Sequence, residues 1–296
     1  MHLAPFLIYV LATLVLTAVT SYPIFLCLEA LGLRDMPFDD MVMRLLKLYA
    51  LLGLWPLLAA FRLNDRRGWG YGPSRSGRGF ASGVALGAVI GIASMAAVVA
   101  VLLLCDVRVA RPGLELRPVV VAVMVLQSIF IGSIVAVMEE TWFRGALHSS
   151  VARASNQAIA IVLIALVYGA VHFVGSDLNI PADDVRWLSG TAVLFTSFRG
   201  FGDAALVDSL FGFVAAGLLL GLVRYRTGRI AECIGIHAGW FVVVKILRQT
   251  TYPNADASWS FMIGDYNGVA GLLVGLWFTT LAVAYYFRCG RRAAAG

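Results

Sequence analysis

Val119 to Met138 reads VVVAVMVLQSIFIGSIVAVM and runs straight into Glu139-Glu140-Thr141-Trp142-Phe143-Arg144. About 20 helical residues suffice to cross a hydrocarbon core, so this stretch predicts a transmembrane helix. Two carboxylates and a guanidinium stand at its end. Ionisable groups at membrane depth are costly, and where they occur inside a span they mark a functional site.

The pattern repeats outward along the chain. Hydrophobic residues make up 60% of the 296, and the mean hydropathy is +0.85. A soluble domain is nearer half apolar. Apolar runs at about 4–30, 43–61, 80–105, 119–147, 157–175, 204–223, 230–248 and 268–287 predict about eight spans. The segment 187–198 (WLSGTAVLFTSF) is too short to span and is expected as a re-entrant or interfacial helix. The expected fold class is all-α, a polytopic transmembrane helical bundle. We divide it into N-terminal transmembrane helices (1–118), a core (119–248), and a C-terminal transmembrane helix with a basic tail (249–296).

The net charge of +6 reads as topology rather than as a nucleic-acid site. Arg62, Arg66, Arg67, Arg75 and Arg78 crowd one connection, Arg224, Arg226 and Arg229 another, and Arg288, Arg291 and Arg292 the tail. With eight spans these fall on one side, and both termini are predicted to be cytoplasmic. The opposite connections carry Asp35, Asp39, Asp40, Asp177, Asp183, Asp184, Asp256 and Asp265, although Arg108, Arg111 and Arg117 weaken the contrast. Cys27, Cys105, Cys233 and Cys289 show no paired spacing, so neither a disulfide framework nor a thiolate zinc site is expected. The run from about Leu3 to Leu28 has no charged n-region and reads as a retained span.

Residues four apart share a helix face, so Arg144 can reach back to Glu140 and hold it ionised. Glu139 is turned about 100° away and escapes that pair. An apolar setting would tune such a carboxylate toward general-base work. A helix-end salt bridge is the plain alternative for this motif alone. His172 lies in LVYGAVHF, and its plain alternative is a core histidine bonded to a carbonyl. The spans on either side of Ser155-Asn156 form a hairpin. Glu139 lies 16 residues before Ser155 and His172 lies 17 after it. At about 1.5 Å per residue the two reach the same depth, where they could share a water or a metal ion. His237, in IGIHAGWF, is flanked by Gly235 and Gly239, which let helices approach closely. Taken alone it reads as a packing histidine. A Glu/His set without cysteine suits zinc or a metal-free acid/base pair. Tyr168, one turn before His172, is expected to pack or to line the site. Asp208 and Lys245 read as an ion pair or as interfacial groups, Glu232 as a helix-start residue, and His148 and His2 as superficial.

The three motifs together resemble those of the CPBP intramembrane proteases, the group of type II CAAX prenyl endopeptidases and bacteriocin-processing proteins. The family pattern is Glu-Glu-x-x-x-Arg, Phe-x-x-x-His and His-x-x-x-Asn, each on its own helix. Here the first is complete at Glu139, Glu140 and Arg144. The second has Tyr168 for Phe before His172, and the third has Phe241 where Asn or Asp is usual after His237. The resemblance covers roughly residues 119–248. It implies an intramembrane endopeptidase that hydrolyses a peptide bond of a membrane-associated protein or peptide. Glu139 would be the base, Arg144 would hold Glu140, His172 would position the water or bind a metal, and His237 would stabilise the oxyanion. The family is described both as metalloprotease and as metal-free glutamate protease. If metal is present, Glu139, His172 and His237 would hold zinc; the glutamate type needs no cofactor. Because Phe241 cannot donate a hydrogen bond, Trp240 through its indole N–H, or a polar residue of 187–198, would have to compensate. The same departure supports an alternative, a catalytically inactive membrane scaffold or chaperone using the polar pocket for binding. The segment 176–203, with Pro181 and Gly200–Gly202, is expected to shape substrate access. Expected partners are membrane lipids and the substrate, with no nucleic acid. The expected localisation is integral, in a bacterial inner membrane.

Overall fold

The computed structural model describes residues 3–33, 36–60, 68–72, 77, 79–114, 117–175, 178–197 and 206–293. In chain order its helices are α1 (Leu3–Ala30), α2 (Phe38–Ala60), α3 (Phe80–Leu104), α4 (Pro118–Glu140), α5 (His148–Ala154), α6 (Gln157–Val171), α7 (Ser189–Thr196), α8 (Val207–Thr227), α9 (Ala231–Thr250) and α10 (Leu272–Ala293). A seven-residue π-helical turn, Thr141–Leu147, joins α4 to α5. Two short strands, β1 (Arg108–Ala110) and β2 (Thr251–Pro253), pair antiparallel, with Val109 opposite Tyr252.

Each of the eight expected spans holds a helix. Among the described residues, four are long and apolar enough to cross a membrane: Ile8–Ala30, Phe80–Leu104, Pro118–Ala154 and Val207–Thr227. Gln157–Val171 and Leu272–Arg288 are apolar but shorter. The hairpin turn falls at Ser155-Asn156, where the Asn156 side chain accepts the Ile159 N–H at 2.9 Å and caps the start of α6. The arginines expected to set topology at 62, 66, 67, 75 and 78 lie outside the described residues, as do Asp35, Asp177, Gly200–Gly202 and His2.

Contacts divide the chain into two units, Met1–Asn64 with Ala170–Asp203, and Asp65–Gly169 with Ala204–Gly296. The first contains α1, α2 and α7 around Phe25, Phe38, Val42 and Val193. A hydroxyl on an apolar helix must find its partner within the protein, and the helix's own carbonyls are nearest. Thr13 and Thr17 accordingly donate to the carbonyls one turn back, at 2.8 Å each. The short helix expected at 187–198 is α7, whose Gly190 seats against Ser21 of α1.

In the second unit, small residues set the spacing between helices. Gly83, Gly87 and Gly91 of α3 face α9, and Gly235 and Gly239 of α9 face α3. A Cβ at Gly87 would strike the carbonyl of Glu232, and one at Gly91 that of Ile236. Backbone-to-backbone approach of this kind is the small-xxx-small packing of membrane helices, in which dispersion replaces the hydrophobic effect. Gly217 of α8 meets Ala165 of α6 in the same way. Gly228 ends α8 in the left-handed region at φ 76°, where an L side chain would be strained. The β1–β2 pair then ties the far end of α3 to the far end of α9.

Candidate active site

On α4 the buried residues are Ser128, Gly132, Ala136 and Glu140, four apart along one face. The first three are small, so α9 comes close: Phe241 lies directly over Gly132. Glu140 is the last of the stripe and is fully buried. The helix then widens into the π turn, a rare geometry that often accompanies functional sites. Arg144, on that turn, is 1% exposed.

One oxygen ties the cluster together. Glu140 Oε1 accepts from Arg144 Nη1 at 2.9 Å and from His237 Nδ1 at 2.9 Å. Because a carboxylate only accepts, the contact places a proton on His237 Nδ1. Arg144 Nη2 also reaches the Gly217 carbonyl at 3.4 Å. Its guanidinium lies 4.3 Å from the ring centre of Tyr168, which meets the His237 ring edge-on at 6.2 Å. Burying a charge is tolerable only with such compensation.

Glu139 is turned away from this pair and its side chain is about a third exposed, at 32%. Its Oε2 is nonetheless buried, with no hydrogen-bond partner among the described residues. That oxygen lies 3.9 Å from His237 Nε2, too far for a direct hydrogen bond. An acceptor oxygen and an imidazole nitrogen thus face each other across a gap that one small polar atom can bridge.

The structure brings Glu139, Glu140, Arg144, Tyr168 and His237 into one cluster. His172 stands in the turn directly after α6, half-buried, in the stretch that groups with the first unit. Among the described residues, no three His, Cys, Asp or Glu side chains come together as a metal-ligand group.

Two expectations are corrected. Trp240 does not offer its indole N–H to the site: it donates to Ser94 Oγ of α3 at 2.9 Å, and the ring stacks on Phe278 at 4.2 Å. His148 is not superficial. It is 3% exposed and its Nε2 bonds Gln157 Oε1 at 2.9 Å, because the π turn rotates it into the α5–α6 hairpin. Glu232 does stand at a helix start, paired with the buried Arg229 at 2.6 Å. Asp208 and Lys245 are not an ion pair; both line a cavity beyond Phe241.

Sequence reasoning missed the wall behind His237. The α3 glycines and Ser94 position α9, and the spacing Gly83-x-x-x-Gly87-x-x-x-Gly91 was the available signal.

Residues 121–243 match the family model described as Type II CAAX prenyl endopeptidase Rce1-like. The match begins in α4, ends in α9, and takes in all three motifs. No curated protein and no solved structure matches the chain. With the apolar helices, the family match supports an integral membrane hydrolase of the protease class.

Proposed function

We propose that the chain is an intramembrane endopeptidase, on the premise that residues 121–243 are the prenyl-endopeptidase-like domain they match. The observation that carries the reading is the 3.9 Å separation of Glu139 Oε2 and His237 Nε2, with that carboxylate oxygen buried and lacking a partner. Both atoms can hydrogen-bond one water between them, the reach a general base requires.

In this reading Glu139 takes a proton from the water as its oxygen attacks the scissile carbonyl carbon. The tetrahedral oxyanion is stabilised by the Nε2–H of His237 in its imidazolium form, whose Nδ1–H goes to Glu140. Glu139 then returns the proton to the departing amine. Glu140 orients His237 through Nδ1–H and balances its charge, and Arg144 holds Glu140 in place. Tyr168 packs beneath the guanidinium. The motif order assigns His172 to positioning the water. The substrate class is a membrane-associated peptide or protein. The catalytic core spans 119–248, within eight spans with both termini cytoplasmic in a bacterial inner membrane.

The test is cleavage of a membrane-anchored reporter peptide by the reconstituted protein. Losing a positioned base lowers kcat about 10²–10⁴-fold, so Glu139→Gln should show a loss of that size. Cleavage by Glu139→Gln at the wild-type rate would overturn the mechanism.

One observation favours a second reading, a catalytically inactive scaffold or chaperone. Phe241 stands where the family supplies a hydrogen-bonding side chain, and the neighbouring indole is committed to Ser94. Peptide binding without cleavage by the wild-type protein, unchanged in Glu139→Gln, would establish that reading.

A further inference from the structure

Beyond Phe241, α9 leads into a cavity of about 1240 Å³. That is larger than the roughly 300–1,000 Å³ of most small-molecule sites. Lys245 and Arg248 line it, about 12 and 16 Å along α9 from His237 at 1.5 Å per residue. Arg108, in β1, and Arg111, just after it, line it beside the end of α9. The acidic lining residues are Asp208 and Asp265, so four cations face two acids, a net +2.

None of the four cations forms an ion pair among the described residues. Arg108 is 3% exposed and directs its N–H groups to the Thr251 hydroxyl and carbonyl and to the Gly268 carbonyl. Arg111 reaches only the Arg248 carbonyl, at 3.1 Å. Burial, with Arg248 and Arg111 nearby, pushes the Arg108 guanidinium below its ordinary pKa. Cations outnumbering the acids around them, and none of them ion-paired, are relieved by an anion.

The surroundings indicate which anion. The segment that closes the cavity exposes Tyr252, Trp259, Phe261 and Tyr266, each between 42% and 56%. Exposed aromatic side chains at the ends of membrane helices are the usual furniture of the headgroup layer. A basic pocket between helix ends offers an anionic headgroup its cationic partners, here on the face proposed to lie outside the cytoplasm.

We propose that this cavity binds the phosphate of an anionic phospholipid headgroup, with Arg111, Lys245 and Arg248 as its cationic contacts. Arg108 forms the fixed floor of the site. The glycerol side of the lipid lies toward the exposed aromatics. This assignment does not depend on the protease reading, because it is tested without cleavage.

The test uses the full chain in nanodiscs of phosphatidylcholine alone or with phosphatidylglycerol, read by lipid retention and thermal midpoint. Phosphatidylglycerol should be retained and should raise the midpoint. The variant R111Q/K245Q/R248Q should keep its midpoint in phosphatidylcholine and bind phosphatidylglycerol about tenfold to a hundredfold more weakly. Asp208→Asn, which removes a negative charge, should bind it more tightly, a gain that misfolding cannot produce. Equal retention by wild type and the triple variant, or no preference between the lipids, would overturn the proposal. So would full protection by inorganic phosphate alone, which would make free phosphate the ligand. Charge-dependent binding of a peptide acid but not its amide, with lipid retention unchanged in the triple variant, would reassign the cavity to peptide.

Discussion

Glu140 Oε1 is the most heavily used atom in the site, accepting from both a guanidinium and an imidazole. Breaking one partner of a buried ion pair costs about 3–5 kcal/mol, because the other charge is left uncompensated. Glu140→Gln should therefore lower the thermal midpoint sharply and abolish cleavage. Glu140→Gln with Arg144→Met should recover much of the midpoint and none of the cleavage. If the double variant also cleaves, the pair does not position His237. Trp240→Phe tests the corrected role of the indole. Loss of an oxyanion donor costs about 10²–10³-fold in kcat. With its N–H on Ser94, the indole should instead cost about threefold at most, alongside a lost hydrogen bond of about 1 kcal/mol. The Glu140–Arg144 pair is legible in the sequence because four-residue spacing fixes it locally. The Glu140–His237 bond is not legible, since it joins residues 97 apart and depends on how α4 and α9 cross.

The elements owe their positions to the residues they lack as much as to those they carry. The glycines of α3 meet backbone atoms of α9, which cannot rotate aside as a side chain can. Gly87→Leu should therefore cost at least the roughly 1–3 kcal/mol of an overpacked core, and should reduce cleavage by displacing His237. Gly175→Ala, with nothing within 4 Å of the added carbon, should leave the midpoint unchanged. Similar midpoints for the two variants would mean that α3 does not brace α9. Helix positions were readable because apolar runs of spanning length have few other fates. The turn at Ser155-Asn156 was readable because asparagine caps a helix start. The π turn after Glu140 was not readable. An extra residue in a helical turn leaves no hydropathy signal, and it reorients His148 from surface to interior.

At the scale of the whole molecule, the charge pattern makes a claim that labelling can check. Single cysteines placed at Arg226 and in the tail near Arg288 should react with a membrane-impermeant thiol reagent only after cells are opened. A cysteine at Asp256 should react from outside. Reversed labelling would overturn the proposed orientation. The domain boundary is the less legible part at this scale. The motifs point to a core beginning near 119, yet Ser94 on α3 receives Trp240 through its hydroxyl and Trp277 of α10 through its carbonyl, at 3.0 Å for the latter. Those bonds have a practical corollary for anyone cutting the gene. A fragment trimmed to residues 121–243 would keep every motif and lose the backstop of the histidine helix. Its bare glycine face would seek another surface, and self-association would be the first fault to appear. A piece that keeps the second unit's own bonds must start before Gly68, whose carbonyl accepts from Ser149 and Arg224, and run through α10.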